Sequence, residues 1–273
     1  MIANAPESGA YSGLAVERDG ALLVVTLDQA DSFNALNDAL IDGLTACLSD
    51  LVDDAAVRVV ILKANGRHFS AGVDLKDWSG EIVQPTIGAS MKMQKRIGAI
   101  VKLMRAIPQP IIALGHGAAA GGGFSLLLAA DVRFGTPDLR MNAAYVKVGL
   151  GGCDIGSSYF LPRLAGGSIA AELLLTGRFL TAERALSLGL LSDVVPADAL
   201  LETGLALASD MLAIAPMALR FTKEALNVNM DASGIDAAMA LEDRQQVMLT
   251  TTHDHAEAVT AFLEKRPPSF RDR

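Results

Sequence analysis

Two stretches of this sequence free backbone N–H groups at turns between a strand and a helix. The first is Arg67-His68-Phe69-Ser70-Ala71-Gly72-Val73-Asp74-Leu75-Lys76. It follows the β-branched run 57–62, which reads as a buried strand. It leads into polar residues suited to a helix start, with Asp74 and Asp77 favouring the positive helix N-terminus. The second is Gly115-His116-Gly117-Ala118-Ala119-Ala120-Gly121-Gly122-Gly123-Phe124-Ser125. It runs from a short apolar strand at 111–114 into an apolar helix at 126–130. Glycine lets a ligand approach the backbone, and the helix dipole supports negative charge there. Two such turns on successive strand–helix units suit one carbonyl oxygen held between two N–H groups as charge develops on it. The glycine run also invites a dinucleotide-binding reading. It sits mid-chain, however, and no acidic residue ends a following strand about 20 residues on. No Gly-Lys-Ser/Thr follows, so a phosphate-cradling P-loop is excluded. A helix that merely packs closely on a sheet is the plain alternative.

The elements that position these turns follow from the pattern. Residues 1–13 read as a loose leader. Strands at 14–18 and 21–27 form a hairpin across Asp19-Gly20. A helix at about 38–53 carries Leu40, Ile41, Leu44, Leu48 and Leu51 on one face. Residues 79–88 read as a mobile loop. A helix at about 89–106 stops before Pro108-Gln109-Pro110. Short strands at 131–134, 139–141 and 192–196 and a helix at 157–164 follow, and the last 70 or so residues are helical. The division expected is a core over 14–200 and a helical region over 201–273.

The chain has 273 residues with 51% hydrophobic and 20% charged, a globular composition with a sizeable core. Its net charge of −8 and pI of about 5.0 argue against nucleic-acid binding. An anionic ligand remains compatible with locally placed Lys and Arg. Cys47 and Cys153 make no disulfide scaffold, which suits a reducing, cytoplasmic setting. Neither a signal peptide nor a membrane span is read from the chain.

The two donor stretches carry a specific resemblance. Residues 69–76 resemble the first signature of the crotonase (enoyl-CoA hydratase/isomerase) family, and 117–125 with Ala130-Asp131 resemble the second. Asn34-Ala35-Leu36, Lys147-Val148-Gly149-Leu150, Leu161-Pro162-Arg163-Leu164-Ala165-Gly166 and Leu174-Leu175-Thr176-Gly177-Arg178 match in the family's order, over about 14–270. The resemblance implies an α/β fold, a spiral of ββα turns with a C-terminal helical region that covers the site and mediates trimer or hexamer contacts. It implies acyl-CoA thioesters as substrates and no separate cofactor or metal, coenzyme A being part of the substrate. By motif position Val73 and Gly122 are the oxyanion donors. Ala71, Gly72, Asp74, Leu75, Gly121 and Gly123 line the substrate with them, and Ala35, residues 65–67, Lys76 and Lys265 resemble CoA contacts.

The acid/base positions depart from the hydratase pattern. Ser125 stands two residues after the triple glycine, and Tyr145 stands in the segment ending Lys147-Val148-Gly149, where hydratases carry glutamates. A serine is a poor base unless activated, and a phenol at neutral pH is mainly a hydrogen-bond donor. Asp154 lies where some isomerase branches, dienoyl-CoA isomerases among them, carry a catalytic aspartate. One carboxylate can take a proton from one carbon and return it to another. Its plain reading is an N-cap for the helix at 157–164. Tyr145 reads rather as a pocket wall, Cys153 as a small buried filler, and His253-Asp254-His255 as a polar helix start rather than a metal site. His68 and His116 read as loop histidines, and Trp78-Ser79-Gly80 as the lip of the pocket. The expected activity is enoyl-CoA hydration or enoyl/dienoyl-CoA isomerisation. The alternatives are a non-catalytic acyl-CoA-binding homologue and a nicotinamide-dependent oxidoreductase.

Overall fold

The structure, a computed structural model, describes residues 11–74 and 86–273. The expected leader is therefore described only from Tyr11, whose hydroxyl donates to Asp50 at 2.8 Å. Strands β1 (Leu14–Asp19) and β2 (Leu22–Leu27) pair antiparallel, and Asp19 pairs with Leu22. The turn residues are thus Gly20 and Ala21, one step beyond the expected Asp19-Gly20. Parallel strands β3 (Val59–Ala64), β4 (Ile111–Gly115), β6 (Val132–Gly135) and β9 (Asp193–Val194) complete a sheet of order β1-β2-β3-β4-β6-β9. A second sheet, β5-β7-β8, is formed by Ala118–Ala120, Arg140–Asn142 and Leu180–Thr181.

Helices α1 (Asp38–Leu51) and α2 (Ile87–Ala106) pack on one face of the larger sheet, and α7 (Leu200–Leu212) packs on the other. This is why β3 and β4 lack alternation. Val60 and Leu62 join the core with Leu40, Leu44 and Met104, whereas Val59 and Ile61 join Leu200 and Ala208. A parallel strand covered on both faces reads as an unbroken apolar run. Each such side chain contributes roughly 1.5–3 kcal/mol of burial.

The helix α3 (Gly122–Ala129) begins at the triple glycine, earlier than the expected 126, and all its residues are buried. A 3₁₀ turn at Ala144–Val148 leads to α4 (Ser157–Ala165), then α5 (Gly167–Thr176) and α6 (Ala182–Ser187). Helix α2 starts within the loop expected at 79–88, capped by the Thr86 side chain, which accepts from Ala89 N–H at 3.2 Å. Helices α8 (Pro216–Asn229), α9 (Ile235–Thr250) and α10 (His253–Glu264) end the chain. Buried Asp254 accepts from the Arg271 and Asp272 N–H groups at 2.7 and 2.8 Å, which fastens the C-terminal segment against α10. No single described helix is long and apolar enough to cross a membrane.

Candidate active site

Asn34 fixes the first donor loop. It is fully buried, and its side-chain nitrogen donates to the Asn65 and His68 carbonyls at 2.8 and 2.9 Å. Its own carbonyl accepts from the Ser70 hydroxyl at 2.7 Å. The loop then pairs in two directions. Ser70 bonds β5 on one side, and Leu36 brackets Val73 on the other, donating to Gly72 O at 2.7 Å and accepting from Asp74 N–H at 3.3 Å. In a parallel bridge of this kind the bracketed residue turns its own amide away from its partner. The Val73 N–H therefore points away from Leu36.

The second loop lies against the first. Gly72 has φ of +89°, and a Cβ there would come within 2.6 Å of Ala120 O and 3.2 Å of the Gly122 nitrogen. Only glycine permits that approach and that torsion. Gly121 has φ of 50° and ψ of −116°, a conformation for glycine alone, and it sets Gly122 as the first residue of α3. A helix's first amides have no intrahelical acceptor. Among the described residues the Val73 and Gly122 N–H groups have no hydrogen-bond acceptor. Two amides on touching loops, one of them at a helix N-terminus, suit an oxyanion.

Ser125 and Tyr145 stand behind Gly121, and both are buried. Their hydroxyls are 2.6 Å apart, and the phenol donates to Gly121 O at 2.8 Å. Burial raises the phenol far above its usual range, the nearby Asp154 charge adds to the rise, and the adjacent Ser125 and Ser157 hydroxyls oppose it. Both hydroxyls are engaged with one another and with backbone.

Asp154 lies on the loop between the 3₁₀ turn and α4. Gly156, not Asp154, occupies the N-cap position of α4. The carboxylate turns instead to Gln94 of α2, whose Nε2 donates to Oδ1. The Ile155 N–H donates to the same oxygen at 2.8 Å. Among the described residues Oδ2 accepts no hydrogen bond. Ile155, at φ of +46°, is buried beside the donor helix, and a Cβ on Gly122 would lie 3.5 Å from its Cδ1. The residue after Asp154 is thus packed beside Gly122, and the carboxylate has one oxygen clamped and one without a hydrogen bond among the described residues. A cleft of about 550 Å³ starts at Gln94 and Ile155 and continues past Val101, Tyr159 and Phe160 to Arg105.

The structure brings Ala35, Ala71, Gly72, Val73 and Asp74 against Gly121 and the first turn of α3 at Gly122 and Gly123, with Ala71 N–H bonded to Phe33 O at 2.9 Å. Leu75 and Lys76, with Asp77 and Trp78, lie outside the described residues. Lys265 is exposed at the end of α10. A further expectation is corrected: Cys153 is exposed beside Asp154, since its loop turns outward ahead of α4. Cys47 is the buried filler, its thiol pushed up to about 12 by burial. His68 accepts from Ala118 N–H at 3.1 Å and is held below its usual range, mainly by burial and then by Arg67 and His116. His253 and His255 open α10, and among the described residues no His, Cys, Asp and Glu gather into a metal-binding group. Two residues were missed. Asn34 figured only as part of a matching tripeptide. Gln94 had a signal, being polar on the stripe that carries buried Ile97, Val101 and Met104.

A family model described as enoyl-CoA hydratase/isomerase matches residues 17–273. The chain is 33% identical over 269 residues to 2,3-dehydroadipyl-CoA hydratase of Escherichia coli K12, covering 96% of this chain and all of that one. It is 31% identical over 249 residues to 1,2-epoxyphenylacetyl-CoA isomerase of the same organism, covering 91% and 94%. The crystal structure of enoyl-CoA hydratase from Bacillus anthracis superposes with a TM-score of 0.90 at 29% identity, covering 96% of this chain and all of that one. A two-loop amide pair on this fold, matched over nearly the whole length, leads to one conclusion: the chain belongs to the enoyl-CoA hydratase/isomerase, or crotonase, family of acyl-CoA-processing enzymes.

Proposed function

We propose that this enzyme moves a double bond along the acyl group of a CoA thioester. The Val73 and Gly122 N–H groups hold the thioester oxygen. Asp154 Oδ2 takes a proton from a carbon of the acyl chain, and the electron pair flows into the carbonyl as an enolate. The same oxygen returns the proton at another carbon, so nothing is gained or lost overall. The observation that carries this reading is the state of the Asp154 carboxylate, with Oδ1 held by Gln94 and Ile155 and Oδ2 accepting no hydrogen bond among the described residues. Hydration also needs a water held and activated, and the two hydroxyls at the hydratase glutamate positions are spent on each other and on Gly121. Relatives of similar identity carry hydratase and isomerase names. Overall likeness therefore does not choose the reaction, and the acid/base residues do.

The cleft beyond Gln94 takes the distal acyl chain, and Lys76 and Lys265 serve the CoA phosphates. Exposed Ile235, Val247, Phe262 and Leu263 on the C-terminal helices support homotrimer or hexamer contacts. The test is turnover of 2-enoyl-, 3-enoyl- and dienoyl-CoA thioesters by the protein and by Asp154→Asn, with binding followed by thermal shift. Double-bond migration lost in the variant, with binding retained, supports isomerisation. Water addition to 2-enoyl-CoA overturns it in favour of hydration. Binding without any turnover overturns it in favour of a non-catalytic acyl-CoA-binding protein.

A further inference from the structure

The Gly121–Gly122 peptide has two ends, and both are occupied by chemistry. Its N–H is the Gly122 donor. Its carbonyl, Gly121 O, accepts from the Tyr145 hydroxyl at 2.8 Å and from Ser125 N–H at 3.1 Å. The preceding amide, Gly121 N–H, donates to Asn142 O at 2.9 Å. Proton counting orients the chain of hydroxyls. A phenol has one proton. If Tyr145 gave it to Ser125, the 2.8 Å approach to Gly121 O would set lone pair against lone pair. If Tyr145 gives it to Gly121 O, the Ser125 proton completes the 2.6 Å contact in preference to its longer 3.4 Å approach to Asp154 O, and the bonds point one way: Ser125 O–H to Tyr145 oxygen, Tyr145 O–H to Gly121 O, Gly122 N–H to the substrate. Hydrogen bonds in series polarise one another. A donor on a peptide carbonyl makes that peptide's N–H a better donor, and it also fixes the peptide plane.

We propose that Tyr145 is a positioning residue that holds and polarises the Gly121–Gly122 peptide, with Ser125 orienting its phenol, so that the Gly122 N–H is a stronger oxyanion donor than a bare helix amide. The proposal rests on the reading of Gly122 as an oxyanion donor and adds the group that tunes it. Its burial and raised proton affinity keep the phenol protonated across the working range. In this account the residues at the two hydratase glutamate positions serve the carbonyl of the substrate rather than a water.

The experiment is difference infrared spectroscopy of bound butyryl-CoA labelled with ¹³C at the thioester carbonyl, a saturated ligand that cannot isomerise. The wild-type protein is expected to lower the carbonyl stretching frequency relative to free ligand. Tyr145→Phe keeps the ring and removes the hydroxyl. It is expected to give back part of that downshift with Kd nearly unchanged and kcat about ten- to a hundredfold lower. Ser125→Ala is expected to give back less. A folded Tyr145→Phe protein with the full downshift overturns the proposal, and a lowered Tm alone, with the frequency unmoved, marks a merely structural role. Where Tyr145→Phe fails to fold, 3-fluorotyrosine at position 145 decides: a stronger donor should deepen the downshift, and no change overturns the proposal. Absence of any downshift in the wild type removes the oxyanion reading itself, and the proposal falls with it.

Discussion

The candidate donor loops and the candidate acid/base wall of this site are built on opposite principles. At the donor loops the candidate groups are backbone amides, and side chains such as Asn34 and Tyr145 act on them only by holding the peptides in place. Val73 keeps its amide turned out because Leu36 bonds the residues on either side of it. At the wall the chemistry is side chain, and the backbone only delivers it. There Ser125, Tyr145 and Asp154 present two hydroxyls and one carboxylate. A backbone device tolerates little change in shape and much in side-chain chemistry. A side-chain device is the reverse, so one donor pair can serve different reactions when the wall is rewritten.

The largest effect should come from spoiling the donor geometry. Gly72→Ala forces a Cβ to within 2.6 Å of Ala120 O at a φ of +89°. Left-handed strain alone costs about 1–2 kcal/mol, and displacing the loop should lower kcat/KM by about a hundredfold or more. Steady-state kinetics and thermal denaturation measure both losses. An active, stable variant would break the contrast, since it would show that the loop need not be glycine.

Next comes the wall. Asp154→Asn should lower kcat by roughly 10²–10⁴-fold while stability shifts within about 0.5 kcal/mol, read by turnover and by chemical denaturation. An unchanged kcat would move the base elsewhere. Gln94→Leu should lower kcat about tenfold through loss of the clamp on Oδ1, with acyl-CoA Kd, measured by calorimetry, changing less than kcat although the residue lines the cleft. A change confined to Kd would make Gln94 a binding residue instead.

The smallest expected effect concerns protons. Tyr11, Tyr145 and Tyr159 are all raised above the usual phenol range, Tyr11 and Tyr145 chiefly by burial and Tyr159 chiefly by its bond to Asp231. A folded-state pKa above the unfolded one stabilises the fold fully below about pH 10. That contribution then fades as the pH rises toward the folded values. Phenolate absorbance should therefore lag in the folded protein and rise near pH 10 in denaturant, with denaturation midpoints falling above pH 10. A folded-state phenol titrating at its ordinary value would place one of these hydroxyls in water.

The same contrast explains what could be read in advance. The two glycine turns were legible because positive φ and close backbone approach call for glycine, and the family signatures sit on those residues. Strands β3 and β4 were legible as unbroken apolar runs. The role of Asn34 was not, since its partners at 65 and 68 are remote in sequence. The exposure of Cys153 was not, because it depends on the loop path ahead of α4. Ser125 and Tyr145 were legible as replacements, yet their bond to each other crosses 20 residues and appears only once α3 packs on the 3₁₀ turn. Gln94 could be suspected as a polar interruption of the α2 stripe, but its partner 60 residues on could not be named.

Ile155 has a consequence for how this enzyme can change. It is a β-branched residue in a left-handed torsion, a costly state that persists only because its buried side chain is packed in place beside the donor glycine. The loop that delivers the carboxylate is therefore seated on the helix that delivers the amide. The spacing between the Asp154 carboxylate and the Gly122 amide is mechanically coupled, and the two cannot drift apart independently. Substitutions that enlarge the acyl cleft are tolerated while they leave that seat alone. Trimming Ile155 would relax the backbone and loosen that spacing, on which the proposed proton transfer depends.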